Sequence, residues 1–539
     1  MSTQAIQDEW SPLAHIQALG GEDGKAPPTA PMYLPLSDQR RLRAYNILNA
    51  LSTNTRRGYL SNSATSRMGI GPDGRPYTKR PESDEYREYG DAALVVDAMR
   101  DLVLGEEQTI EVGKDGPLKD WIDNWARSER FTQKLLEGEK KSCGLGDGVY
   151  VLGISERAKR PKLRVEDPGF YFPDHMAHVE GWDDDDFPPV VHLLYEYENE
   201  DKHVIVNRAT WRMVQLDGTE TAPWGNPREW TCMYSETEWR RDKLNSKSTV
   251  YSDEMGRNGV VVVAPQDLKI DFIPVVHVPN STGEWGMSVL TLLSQILDDI
   301  QSVDSDLAIA SQSANPLLVM DGGGSPTLTG MPGESLAMPA GGKAAYIAAS
   351  LNSQIVYLDT LMKRLAQNSR LGEVLLGRVS PANVPSGYAM ALGFHPARQL
   401  MRNARTLRDE KFPLIVKFAL RMAQAWDWAP AGETPNIDVT LGASLPSDLT
   451  AAVAIVKDLL PVHAISTQTA VDILVAAGIP IKEAKDEVKA IFAEDIEAAV
   501  RMVDATGNIQ AAAERLGIAP ATLGTTATDA ATTAVPPEQ

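Results

Sequence analysis

The sequence predicts an α+β protein, and two observations carry that prediction. Between residues 145 and 280, short runs of β-branched and aromatic residues alternate with turn signals. From 287 onward, long stretches carry apolar residues at spacings of three and four. A block of strands followed by a block of helices is the order of an α+β chain, not of an alternating α/β one.

Each element follows in order. Residues 1–36 (with GGEDGKAPPTAP) lack periodicity and read as a flexible arm. Residues 37–52 read as a helix with Ser37 as its cap, and 53–90 as a polar, turn-rich stretch. Ala92–Leu104 predicts a helix with Val95, Met99 and Leu102 on one face, and Trp121–Cys143 a further helical region. The strand candidates are 147–154, 163–174, 190–198, 203–216, 260–265 and 273–280. Residues 287–312 predict a helix of roughly 40 Å, with a stripe of Leu293, Ile296, Ile300, Val303 and Leu307. A Gly- and Pro-dense insertion with two short apolar runs occupies 315–347. The helix predicted over 349–371 carries Leu351, Ile355, Leu358, Met362 and Leu365. The stretch 376–387 breaks it, and a third long helix runs from 386 to about 428, kinked or broken at Pro396 and Pro413. A short strand (IDVTLG) precedes a helical cluster over 447–504, which Ser447 can open and Pro461 can interrupt, and a low-complexity tail follows.

Composition bounds the function. The 539 residues carry 52 Lys and Arg against 73 Asp and Glu, a net charge of −21. That balance argues against a protein that grips nucleic acid through a net basic surface. Cys143 and Cys232 could form one disulfide, but two reduced thiols in a cytosolic chain are the expected state. The N-terminus lacks a signal peptide's pattern, and no apolar stretch reaches the roughly 18 residues of a membrane span. The expectation is a soluble intracellular protein with no membrane partner.

The motifs for catalysis fail one by one. The Gly-Lys pairs at 24–25, 113–114 and 342–343 are followed by Ala, Asp and Ala, so no hydroxyl is placed for a nucleotide's Mg²⁺. Asp174, His175 and His178 lie near the acidic run 183–186, but no third ligand stands at a diagnostic spacing. A solvated acidic loop is the plainer reading, with an enzyme built on this cluster as an alternative. No metal, cofactor or catalytic constellation is predicted, so the chain is not read as an enzyme. Residues 507–523 (GNIQAAAERLGIAPATL) resemble the first helix and turn of a helix-turn-helix, which keeps a DNA-binding regulator as the other alternative. The reading helix would continue as GTTATDAATTAVPP, with no Arg or Lys for phosphates or base edges.

Three segments then point elsewhere. GLGDGVYVLGI followed by LRVEDPGFYFPD (144–174) joins a Gly-Asp strand to an Asp-Pro…Asp continuation. IPVVHVPNSTGEWGMSVL (273–290) runs from Pro-Val-Val through Asn to Gly-x-Ser. SRLGEVLLGRVSPANVPSGYAMALGF (369–394) contains Leu-Gly and Ser-Gly-x-Ala. In this order, around a helix–insertion–helix unit, they make the chain similar to the portal (head–tail connector) proteins of tailed double-stranded DNA bacteriophages. The resemblance spans roughly 37–505.

The resemblance implies a portal-type fold with a mixed α/β wing, a two-helix stem, a small β-containing clip and a helical crown. By order, the wing is 37–285 with 386–439, the stem 286–314 and 349–372, and the clip 315–348. The tunnel loop is 373–385, the crown 440–516 and the disordered tail 517–539. The implied assembly is a dodecameric ring at a capsid vertex of the virion, built in the host cytoplasm, through which viral DNA is packaged and ejected. The implied partners are the terminase large subunit, the major capsid and scaffolding proteins, and head-completion or neck adaptor proteins. Arg378, Val379, Ser380, Pro381, Ala382, Asn383, Val384 and Pro385 would line the DNA channel, with the two prolines stiffening the loop. Asp298, Asp299, Asp304, Lys363 and Arg364 would belong to the channel wall. Lys363 and Arg364 could equally pair with a neighbour's acids. In the clip, Asp321, Gly322, Gly323, Gly324, Glu334 and Lys343 would dock the motor and neck. A channel for sliding DNA should bind phosphate weakly, which suits acidic stem faces.

Overall fold

The computed structural model describes residues 36–53, 67–70, 76–79, 89–113, 116–175, 177, 179, 182, 187–198, 204–241, 260–313, 317–321, 343–347, 351–378, 393–442, 449–462, 464–476, 479, 481 and 484–506. They form two compact units, one of residues 1–104 and 108–441, the other of 105–107 and 442–539.

The first unit opens with α1 (Leu36–Ser52), followed by the hairpin β1 (Arg67–Ile70) and β2 (Pro76–Lys79). Helix α2 (Asp91–Leu104) buries Val95, Met99 and Leu102, the face the periodicity predicts. Strand β3 (Gln108–Val112) comes next. The helical region expected over 121–143 is two helices, α3 (Pro117–Glu129) and α4 (Phe131–Leu145). Arg130 divides them in the left-handed region at φ 53°. Pro117 starts α3 where a missing N–H costs nothing, and Gly146 ends α4 at φ 111°.

Strand β4 (Asp147–Ser155) is central in a three-stranded antiparallel sheet, between β5 (Arg160–Glu166) and β11 (Val275–Pro279). Its first six residues are buried, which is why it reads as a continuous apolar run. A five-stranded sheet holds β6 (Tyr171–Asp174), β7 (Val190–Glu198), β8 (Val204–Thr221), β9 (Pro227–Arg241) and β10 (Val260–Asp267) in sequential antiparallel order. The strands exceed the sequence reading: β8 runs to Thr221 and β10 to Asp267, and β1, β2, β3 and β9 are not predicted at all.

The first long helix, α5, spans Ser294–Ser313 rather than the predicted 287–312, because residues 289–293 are turns. Its buried face holds Leu293, Leu297 and Ile300, continued by the polar Gln301 and Ser305. The predicted Ile296 and Val303 are half-buried, so the stripe is rotated from the one expected. The insertion contains β12 (Leu317–Asp321) paired antiparallel with β13 (Lys343–Ile347), and α6 (Asn352–Asn368) returns to pack on α5. Helix α6 buries Leu361, Leu365 and Ala366, whereas the predicted Ile355 is 53% exposed. After the short turn α7 (Gly372–Leu375), α8 runs unbroken from His395 to Ala425. Pro396 does not break it, because it sits in the first turn. Pro413 lies inside and is buried, and the helix passes through it against the core. Strand β14 (Ile437–Leu441) pairs with β3.

One core joins these pieces. Helix α8 contributes Phe412, Ile415, Val416, Phe418, Ala419, Leu420 and Met422. Phe418 stacks on Phe272 at 4.0 Å, and Phe412 meets Tyr150 edge-on at 6.1 Å. The second unit contains α9 (Leu449–Leu459), α10 (Thr467–Ala476) and α11 (Ala484–Thr506). Ser466 Oγ accepts the N–H of Thr469 at the start of α10, and Ala470 and Val471 are buried.

Candidate functional site

Two of the three segments that carry the portal resemblance interlock at one place, directly ahead of α5. Strand β11 pairs with β4 so that Pro279 stands opposite Asp147. The N–H of Asn280 donates to the carbonyl of Gly146 at 2.7 Å, and that of Val289 to Cys143 at 3.1 Å. Ser288 Oγ donates to Gly144 O at 2.7 Å. Gly146 and Gly286 cross so closely that a Cβ on Gly286 would lie 2.0 Å from Gly146 O. That contact explains glycine at both positions.

Asp147 sits at the centre with a fully buried side chain. Its Oδ1 accepts from the Gly286 N–H and from His277 Nε2, each at 2.8 Å, and its Oδ2 accepts from Tyr45 OH. Burial first, then the Asp147 charge, pushes the Tyr45 phenol up, so it stays a donor. Arg41, also on α1, lies 3.7 Å above the Trp285 ring and donates to the carbonyls of Pro168 and Tyr171.

Helix α8 reaches the same junction through Arg408. Its guanidinium donates to Glu139 Oε1 at 2.6 Å, to Asn280 Oδ1 at 2.9 Å and to Ser142 Oγ at 3.0 Å. A further bond runs to the carbonyl of Pro279 at 3.3 Å. Both charges of the pair are fully buried. These polar groups bond to one another across the junction. The arrangement is a structural clamp that fixes where the chain leaves the sheets for α5.

The predicted stem residues fall on α5 and α6. Asp298, Asp299 and Asp304 are half-buried on α5, while Lys363 and Arg364 are exposed on α6. Burial first, then the neighbouring Asp91 charge, pushes the Asp304 carboxyl above its ordinary range. Burial also raises Asp91, with Arg378 opposing it. Arg378 donates to Asp359 Oδ1 at 2.8 Å, and Lys363 Nζ lies 2.7 Å from Asp359 Oδ2. Hydrogen bonds from Lys363 and then Arg378 hold the Asp359 carboxyl low. Asp359, the acid that pairs with both, is a residue of the predicted stem that the sequence reading did not name. Its i,i+4 spacing to Lys363 was the available signal.

In the insertion predicted as the clip, Asp321 and Lys343 stand opposite each other at the last described register position of the hairpin. Gly322, Gly323, Gly324 and Glu334 lie outside the described residues, as do Val379, Ser380, Pro381, Ala382, Asn383, Val384 and Pro385. So do His178, residues 183–186 and the helix-turn-helix-like 507–523. Among the described residues no group of three metal-ligating side chains occurs, and no helix is long and apolar enough to cross a membrane. Cys143 and Cys232 are both buried free thiols, as expected.

No protein-family profile matches the sequence, and no curated protein matches it. Among solved structures, the fold is similar to a chain in the virion of a native gene transfer agent particle. The two are 11% identical with a TM-score of 0.39, and the match covers 78% of this chain and 98% of that one. It is also similar to a chain in the neck of an empty gene transfer agent particle. Here identity is 11% and the TM-score 0.41, over 76% of this chain and 99% of that one.

Proposed function

We propose that this chain is a bacteriophage portal protein: a non-enzymatic, ring-forming conduit for double-stranded DNA at a capsid vertex. The observation that carries the reading is the helix–hairpin–helix excursion of α5, β12–β13 and α6. It leaves the β sheets at the Asp147–Gly286 clamp, and α8 brings the chain back into the same core. An excursion tipped by a two-stranded hairpin, on a rigid base, suits a stem and clip better than a compact catalytic domain.

Side-chain chemistry supports the same reading. The buried polar groups around Asp147 and Arg408 bond to one another, and the α5 face carries carboxylates rather than a phosphate grip. In a ring of about twelve copies the net charge becomes roughly −250, which favours passage of DNA over retention. Ring closure would come from one heterologous interface repeated around an axis. A packaging ATPase, capsid and scaffolding proteins, and neck adaptors are the partners this role requires.

Sedimentation velocity of the purified chain tests the proposal. A portal sediments as a ring far above 58.7 kDa, and still does so after truncation beyond Thr506. A chain that stays monomeric at micromolar concentration in moderate salt overturns it.

A further inference from the structure

Helix α8 begins with two exposed arginines, Arg398 and Arg402, for which the described residues supply no carboxylate. His395, Arg398 and Arg402 are exposed, and at 100° per residue they fall on one side of the helix. Ala397, Ala404 and Arg408 mark the buried side. The next arginine, Arg405, is turned inward and donates to the carbonyl of Val103 at 2.7 Å. Asp409, the acid further along this side, is influenced by Arg405. Among the described residues no carboxylate pairs with Arg398 or Arg402. Their i,i+4 spacing sets like charges one turn apart, which disfavours the helix unless acids are supplied from outside.

The complementary feature lies on the same unit. Asp91, in the first turn of α2, and Asp304, on α5, are half-buried carboxylates, and the Asp91 charge adds to burial in raising Asp304. Arg378 acts on Asp91 but is itself bonded to Asp359, and no cation among the described residues meets Asp304. Among the described residues, the chain therefore offers a basic row without acids and an acid pair without a cation on Asp304. A closed ring needs two such dissimilar patches, since each copy presents one to each neighbour.

We propose that Arg398 and Arg402 of one copy dock against the Asp91–Asp304 pair of the next copy. This interface rests on the ring reading above, and it names the contact that reading leaves open. Charge pairs across an interface fix register and partner choice, so reversing one side should repel.

The test is a charge swap in the full chain, read by mass photometry with far-UV circular dichroism as a check of folding. Wild type must first form rings; if it does not, both the ring reading and this interface fall. With wild-type rings present, R398E/R402E should lower the ring fraction about tenfold with unchanged dichroism. D91R/D304R should do the same, and the fourfold variant should restore rings. The interface is overturned, with the portal reading intact, if R398E/R402E forms rings like wild type. It is also overturned if that variant forms rings but loses DNA retention, which would make DNA the partner. A folded fourfold variant no better than R398E/R402E overturns it as well. R398Q/R402Q, which removes charge without reversing it, should fall between wild type and the reversal.

Discussion

Arg408 and Glu139 come from positions 269 residues apart and are both fully buried. Removing one member of such a pair leaves an uncompensated charge in the core. Arg408→Met should therefore cost about 3–5 kcal/mol in urea unfolding, and E139M/R408M appreciably less. His192 makes the opposite kind of statement. Burial first, then Arg208, lowers its pKa to about 4 against a weaker pull from Asp174, and its Nδ1 faces Thr210 Oγ1 at 2.9 Å. Above pH 6.5 the imidazole is neutral folded or unfolded and contributes no pH dependence. Below it, the unfolded chain takes a proton the fold resists, so stability falls between about pH 6.5 and 4, by at most about 3 kcal/mol. His192→Gln should flatten that slope in melts across this range, and an unchanged slope would show that other groups set it. Burial first also raises both thiols, Cys143 and Cys232. A thiolate reagent should label neither in the native protein and both after unfolding.

At the scale of elements, the legible parts were those whose environment is one-sided. Strand β4 is buried along most of its length and β11 on nearly every residue, so each is a run that composition alone reveals. Strand β9 (PREWTCMYSETEWRR) alternates small, charged and aromatic residues on a half-exposed sheet and offers no such run. The start of α5 was misplaced for a different reason. Residues 286–289 satisfy their backbone and hydroxyl groups on Gly144, Cys143 and Asp147, a long-range demand no helical propensity records. The stem signatures were legible as motifs, but their physical meaning was not. Asp147, Asn280, Gly286 and Ser288 matter through contacts 128 or more residues away. Helix α6 carries a prediction here. Ile355, Val356 and Tyr357 are 53%, 66% and 48% exposed along its first turns, an apolar patch that a neighbouring copy would cover. I355D/V356D should leave the circular dichroism of the chain intact and abolish ring formation. Unimpaired rings would place the contact elsewhere.

For the whole molecule, the acidic composition acquires a definite role. A net charge of −21 argues against a broad basic grip on DNA. A conduit requires that same property, and multiplying the charge around an axis strengthens it. The sheets, the clamp at Asp147 and the long α8 share one core, and the helix–hairpin–helix excursion of α5, β12–β13 and α6 leaves and re-enters it. Electron microscopy of the purified full-length protein, averaged in end-on views, tests this account most directly. The account predicts a closed ring of about twelve copies around an open central channel. A population of single particles of monomer size, at micromolar concentration and moderate salt, would contradict it.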